Sequence, residues 1–406
     1  MMQTLDERMK SMNNESVIFI TKDALNRGYL PVYGNDYWQG QTPNIDYLAQ
    51  KGNVFKSYYT AAPSTVMSNI SMFTGQYPYE SELKYYNLTH KTYPGKTLFD
   101  KANDLGFECH IIWDKAWDAT FNVIDRYNVY GENTVFHFPE LRQGVGAHYL
   151  HEGGLVRNEK KTNKVYQEIE AVFSEITSVN KKVFVWLHVP HVINGRTGYG
   201  TDMDAFDHII GIGMKYFSER NIFISADHGN MDGFRNKLGY GFDVYQPNVL
   251  IPLITPKISD DENSLLSNID IFDILFFKQV KSREYVLSDS TFYAQPNRKL
   301  AIIRKDYKYI YNKLNRTEEL YDLRTDPAEQ FNLIEDSVYD YDRHVTTPSK
   351  ELYFYPYWDE LNEMRSHFRQ IKKDVWKSGT FSEEFKPRIK FFIQTHGYNQ
   401  YRKKVK

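Results

Sequence analysis

The chain has 406 residues, of which 41% are hydrophobic and 25% charged, values that exclude a wholly disordered chain. Aromatic residues make up 16%, ample material for a sizeable core, and the formal net charge of −2 gives no global pull towards nucleic acid. A single cysteine, Cys109, excludes a disulfide framework and a thiolate zinc site.

The opening stretch MMQTLDERMKSMNNES is polar and lacks the apolar region of a secretory signal. VIFIT (17–21) then reads as a buried strand, followed by helical patterns in NIDYLAQKG (44–52), TVMSNISMFTG (65–75) and KTLFDKANDLG (96–106). FECHIIW (107–113) reads as a strand, KVYQEIEAVFSEIT (164–177) as a helix and VFVWLHV (183–189) as a strand. DAFDHIIGIGMKYFSER (204–220) is helical, and NIFISA (221–226) and VLIPLIT (249–255) are strands. Strands alternating with helices predict an α/β fold with a mostly parallel central sheet flanked by helices. After about residue 285, LAIIRKDYKYIYN and TEELYDL form an apparent hairpin, a small C-terminal antiparallel subdomain. The organisation expected is a catalytic domain over 1–285, the antiparallel subdomain over 286–340 and a basic aromatic helical tail over 341–406.

Residues 361–406 hold 12 Lys/Arg against 4 Asp/Glu, a balance of +8 that leaves the first 360 residues at −10. Such a tail is either a solvated helical appendage packed on the body or a contact surface for an anionic polymer. The longest apolar runs, such as VFVWL at 183–187, fall far short of the ~18 residues of a membrane span, so a soluble, cytoplasmic chain is expected.

Ligands of parallel α/β sheets bind beyond the carboxyl ends of the strands. There the chain places Asp23 after its first strand, Asp227-His228 after the strand 221–226, and His188 with His191 in HVPH. One aspartate, an Asp-His pair and a contributor from a helix start compose a hard-to-borderline divalent site. Each also has a plain structural reading: an aspartate after a strand caps a helix, and His188 is a satisfied core histidine. Thr65 stands where the helix 65–75 begins. A hydroxyl there is either a simple N-cap or a nucleophile helped to ionise by the helix dipole and an adjacent cation. Asp204 and His208, four apart on a predicted helix, read as exposed residues rather than half of a second site.

Over roughly residues 16–335 the sequence resembles the sulfatase family of the alkaline phosphatase superfamily. The resemblance is carried, in order, by VIFITKDALNRGYLPVYGN, QTPNIDYLAQKGNVFKSYYTAAPST, SMFTGQYP, ISADHGN, VLIPLIT and YKYIYNKLNRTEELYDLRTDPAEQFNL. It implies an alkaline phosphatase-like fold and roles position by position. Asp23 matches the first metal aspartate, Thr65 the nucleophile, and Asp227 with His228 the pair that closes the metal site. Lys115, in WDKAWD, resembles the family lysine that contacts the ester oxygens. His188 and His191 resemble the histidines that bind the oxyanion or protonate the leaving group. The chain also departs from the family. Hydrolytic sulfatases carry Cys or Ser within C/S-x-P-x-R and oxidise it to formylglycine, whereas here Thr65-Val66-Met67-Ser68-Asn69 lacks the proline and the arginine. Ala24 replaces the second aspartate of the usual pair, His228 an asparagine, and Tyr240 a basic residue.

These changes move the expected site away from calcium and towards one zinc or manganese ion. They also resemble the phosphodiesterase and phosphoethanolamine-transferase branches. The leading expectation is a hydrolase or transferase of phosphate or sulfate esters acting through Thr65, with phosphorus slightly favoured. An arylsulfatase-like sulfuric ester hydrolase is the alternative, and a catalytically inert sulfatase-shaped binding protein a further one. The expected substrate is a small-molecule or saccharide ester, with an anionic polymer at the tail; homo-oligomers are compatible, and nucleic acid is not expected.

Overall fold

The structure, a computed structural model, describes residues 15–34, 40–81, 93–115, 129–141 without 132 and 140, 159–190 without 180, 199–290, 297–334 without 305, and 357–377. In chain order the strands are β1 (Val17–Lys22), β2 (Asn53–Val54), β3 (Tyr58–Tyr59), β4 (Glu108–Ile112), β5 (Thr134–His137), β6 (Val183–Val189), β7 (Ile222–Ala226), β8 (Leu253–Thr255), β9 (Leu266–Ser267), β10 (Val286–Asp289), β11 (Lys299–Arg304), β12 (Tyr307–Asn312) and β13 (Glu318–Asp322). The α-helices are α1 (Pro43–Lys51), α2 (Thr65–Thr74), α3 (Leu98–Asp104), α4 (Glu159–Ser178), α5 (Tyr199–Tyr216), α6 (Gln246–Val249), α7 (Ile271–Phe277) and α8 (Trp358–Lys377).

Seven strands form the central sheet in the order β2-β8-β7-β1-β6-β4-β5. Its five members from β7 to β5 run parallel, and β8 and β2 add an antiparallel edge. This is the mostly parallel α/β sheet that the alternation predicts. Strands β1, β6 and β7 are buried along their whole length, which is why they read as unbroken apolar runs rather than alternating ones. The core beneath α2 is aromatic: Phe73 meets Trp186 edge-on at 4.7 Å and Phe99 at 5.0 Å. The segment VLIPLIT departs from its expected single strand. Its first residue closes the short α6, and only Leu253–Thr255 join the sheet, because Pro252 has no N–H to give to a ladder. Among the described residues, no helix is long and apolar enough to cross a membrane.

The second sheet, β10-β11-β12-β13, is the antiparallel subdomain expected after residue 285. Helix α8, within the stretch expected to be a tail, lays Leu361, Met364, Phe368 and Val375 on Leu300, Ile302, Tyr309 and Leu320 of this sheet. Arg365 pairs with Glu318, and Arg304 with Glu360 and Glu363. Over these residues the tail is a packed helix. Arg369, Lys372 and Lys373 stay exposed on it, and the rest of the basic stretch lies outside the described residues.

One ion pair in the sheet is wholly buried: Lys308 Nζ lies 2.7 Å from Glu329 Oε1. Glu329 also accepts the Gln246 N–H at 2.6 Å. Lys308→Met strands a carboxylate in the interior, and we expect it to cost about 3–5 kcal/mol of unfolding free energy. Adding Glu329→Gln should recover much of that loss. Urea midpoints of the single and double variants check this; equal midpoints would place the cost elsewhere.

Candidate active site

Strands β1 and β7 are parallel neighbours with Lys22 opposite Ala226, so the next residues, Asp23 and Asp227, emerge side by side at the carboxyl edge. Helix α2 brings its first residue, Thr65, to the same edge. Ser64 occupies the N-cap, so Thr65 does not cap the helix. Its Oγ1 lies 3.0 Å from His228 Nε2 and donates to Asp23 Oδ1 at 3.2 Å. The plain capping reading of Thr65 is therefore set aside.

Asp23, Asp227 and His228 are all buried, and their ligand atoms lie within 4.8 Å of one another. His228 Nε2 is 3.5 Å from Asp23 Oδ1 and 3.6 Å from Asp227 Oδ2. A backbone carbonyl only accepts, so the 2.8 Å contact of His228 Nδ1 with the Gly229 oxygen puts the proton on Nδ1. Nε2 then faces the two carboxylates. Asp227 Oδ1 accepts the N–H groups of Ala24 and His228, while its Oδ2 accepts no hydrogen bond. Burial pushes the Asp227 carboxyl up to about 6.

A cluster of acceptors around one point fits a cation. Ligands roughly 2.0–2.2 Å from a tetrahedral ion stand about 3.3–3.6 Å apart, close to the spacings here. The donor set of two carboxylates and one imidazole therefore fits a divalent ion, which Asp23, Asp227 and His228 would hold with the Thr65 hydroxyl beside them.

Residues that the sequence reading passed over hold this arrangement. Ser68, one helical turn after Thr65, donates to the Asp227 carbonyl oxygen at 2.5 Å and accepts from Asn268 Nδ2 and Thr60 Oγ1, both at 2.9 Å. Ala24 takes a left-handed φ of 54°, which aims its N–H at Asp227 Oδ1. A Cβ on Gly229 would sit 1.9 Å from the Pro247 oxygen, so only glycine allows the close approach behind His228.

The remaining predicted residues separate. His188 is buried at 1% exposure, its ring stacked on Trp113 at 4.9 Å and on Trp186 at 5.3 Å. Its Nδ1 bonds Thr21 Oγ1 at 2.8 Å, Thr21 accepts the Trp186 indole N–H at 2.9 Å, and its Nε2 lies 3.9 Å from Asp227 Oδ2. Burial lowers its pKa to about 3. It therefore stands beside the cluster as a neutral ring. Lys115 follows β4 at the same edge of the sheet and is exposed. His191 lies outside the described residues. Asp204 and His208 are exposed on α5, with His208 4.0 Å from the ring of Tyr166. The partly buried Tyr240 lays its ring 4.4 Å from that of His228.

Residues 15–194 match the family model described as Sulfatase. No curated protein matches the sequence. Among solved structures, BT1596, a 2-O GAG sulfatase, is similar with a TM-score of 0.64 at 16% identity, over 89% of this chain and 92% of its own. BT4656, solved with its substrate D-glucosamine-2-N,6-O-disulfate, gives 0.56 at 15% identity over 90% of this chain and 98% of its own. The phosphonate monoester hydrolase of Agrobacterium radiobacter gives 0.59 at 14% identity over 87% of this chain and 96% of its own. At these identities the likeness is one of fold.

Two consequences follow for metal and proton. Asp227→Asn removes a ligand charge and should weaken divalent-ion binding by about 10–100-fold or more. In wild type the ion competes with a proton at Asp227, so affinity should fall about tenfold per pH unit below about 6. The sign for folding is the reverse. A raised carboxyl pKa means that the metal-free protein gains stability from this group as pH falls from about 6 towards 3.8. Melting with and without Zn²⁺ or Mn²⁺ between about pH 5 and 8 should show the metal-induced rise in Tm shrinking below about pH 6. A constant rise would count against Asp227 as a ligand.

Proposed function

We propose that this chain is a sulfatase-family member of the alkaline phosphatase superfamily and that it cleaves or transfers phosphate or sulfate esters through Thr65 at a site completed by one divalent ion. The observation that carries the reading is the position of Thr65 Oγ1 between Asp23 Oδ1 and His228 Nε2 at the start of α2. Zinc or manganese suits one imidazole among three oxygen donors better than calcium does. When bound, such an ion supplies Lewis-acid charge that favours an ionised hydroxyl and offsets charge on the transferred group.

Thr65 Oγ1 attacks phosphorus or sulfur in line. A bond forms from that oxygen to the central atom as the bond to the alcohol breaks; the hydroxyl proton of Thr65 leaves to solvent, and the departing oxygen takes a proton from solvent. Of the two histidines considered for that proton, His188 is buried and neutral, and His191 lies outside the described residues. The N-terminus of α2 favours negative charge at the attacking oxygen. Lys115, exposed at the end of β4, is the candidate cation for the equatorial oxygens. Water or a second alcohol then attacks the same central atom and frees Thr65. Threonine carries one hydroxyl, so the covalent ester must be released at the central atom, which a phosphoryl-threonine allows. This favours the phosphoester, with a phosphodiester or phosphotransfer substrate first. Sulfuric ester hydrolysis is the second reading, supported by the family match and the two sulfatase neighbours. The disulfated sugar in BT4656 supports a saccharide on the alcohol side.

Thr65→Ala should lose turnover by several orders of magnitude with the fold retained, and Thr65→Ser should keep appreciable activity. Acid-quenched reaction with a slow nitrophenyl ester should add about 80 Da to the peptide that contains Thr65, and accurate mass distinguishes phosphoryl from sulfuryl. An adduct on Ser64 or Ser68, or full activity in Thr65→Ala, overturns the assignment. A protein that binds the ion yet turns over no sulfate, phosphate or phosphonate ester is the inert binding protein instead.

A further inference from the structure

The loop after His228 presents an uncharged tip beside the metal-type ligands. Its two basic residues are turned to other work. Lys237 pairs with Asp243 at 2.9 Å, and Arg235 donates to the hydroxyls of Tyr245 and Tyr321 at 3.1 and 2.9 Å and to the Glu329 carbonyl oxygen. Between them and Asp243 lies Leu238-Gly239-Tyr240-Gly241-Phe242, without a charge. Leu238 is 72% exposed and Phe242 51% exposed, and Tyr240 between them is partly buried with its ring 4.4 Å from that of His228. Gly239 and Gly241 take left-handed φ of 83° and 88°, a shape that favours glycine and fixes the tip on both sides of Tyr240. Met231 N–H bonds the Gly239 oxygen at 3.0 Å and ties the tip back to its own loop.

Single exposed apolar side chains are ordinary, but Tyr240 lays its ring against a ligand of the candidate site and is flanked in the chain by two exposed apolar residues, Leu238 and Phe242. We propose that this tip is the wall for the alcohol side of the ester, and that Tyr240 selects alcohols presenting a flat ring face, whether aromatic or the C–H face of a sugar. The inference rests on the ester-cleaving reading of Thr65. An uncharged aromatic surface gains from covering such a face, and gives little to a small flexible alcohol.

The test compares Tyr240→Ala, Tyr240→Phe and Phe242→Ser with wild type on three esters of whichever acid wild type turns over: a nitrophenyl ester, a monosaccharide ester and a glycerol ester. Ratios of variant to wild type within each substrate cancel differences in leaving-group reactivity. Tyr240→Ala should raise KM roughly tenfold for the ring esters and less than about twofold for the glycerol ester, with kcat within about threefold. Tyr240→Phe should match wild type, and Phe242→Ser should shift KM in the same direction by about threefold. The nitrophenyl and sugar arms tell which kind of ring the wall prefers. Equal losses on ring and acyclic esters overturn the inference, as does loss of bound Zn²⁺ or Mn²⁺ from Tyr240→Ala, which would make Tyr240 a prop for His228. Wild type that turns over esters without this pattern sinks the wall alone. Wild type that turns over none sinks the reading of Thr65, and the wall with it.

Discussion

Two carboxylates buried within a few ångströms of one another repel, and a positive charge set between them and a neighbouring imidazole nitrogen relieves that repulsion. Asp23, Asp227 and His228 are in that position, and Thr65 adds a hydroxyl whose one proton has two acceptors in reach. Burial, with a smaller contribution from the Asp23 charge, raises the Asp227 carboxyl to about 6, so taking up a proton is one way of removing charge from the cluster. A divalent ion is the other way, and it relieves the whole cluster at once. The cost of holding these groups together out of water is met by the rest of the fold, so a divalent ion would find this group already assembled. An apolar cluster of the same volume would stabilise the protein more and do no chemistry.

That assembly depends on elements far apart in sequence. Adjacent parallel strands place both aspartates, and the start of α2 places Thr65. Ser68 then locks α2 to the backbone of Asp227, with Asn268 and Thr60 completing the bonds of its hydroxyl. On the other side, Trp186, Thr21 and His188 form a chain of contacts that ends 3.9 Å from Asp227 Oδ2. Both supports come from side chains in the rigid core, and neither lies on an exposed loop.

Much of this was legible in the sequence. The buried strands 17–21, 183–189 and 221–226 and the helix at 65 could be read from periodicity, and Asp23, Asp227 and His228 from their places after strands. What periodicity cannot show is which of two neighbouring residues opens the helix; the structure puts Ser64 at the N-cap position, without a side-chain capping bond, and leaves Thr65 facing the cluster. Nor does it show the direction of a side chain at the end of a strand. His188 could be read as a core histidine or as a contact for the ester; alternation along β6 turns it onto the face shared with Trp186, where aromatic rings enclose it with its Nε2 3.9 Å from Asp227 Oδ2. Ser68 carried no motif of its own, since its role exists only once Asn268 arrives from 200 residues away. Pro252 was visible and was the signal that VLIPLIT could not be one continuous strand.

The boundary near residue 285 separates two sheets but not two functions. Gly229, whose carbonyl sets the tautomer of His228, donates its N–H to the Asn248 oxygen at 2.9 Å, and Asn230 bonds the Pro247 oxygen at the same distance. The next residue back, Gln246, gives its N–H to Glu329, and Glu329 is paired with Lys308 on β12. An unbroken series of bonds thus runs from the imidazole to the antiparallel sheet. Arg235 adds a second tie from the same loop to Tyr321 on β13. The antiparallel sheet therefore fixes the backbone that orients a candidate metal ligand and carries Tyr240. This gives a physical reason for a buried ion pair at Lys308 and Glu329: it anchors a loop whose position decides where His228 Nε2 points.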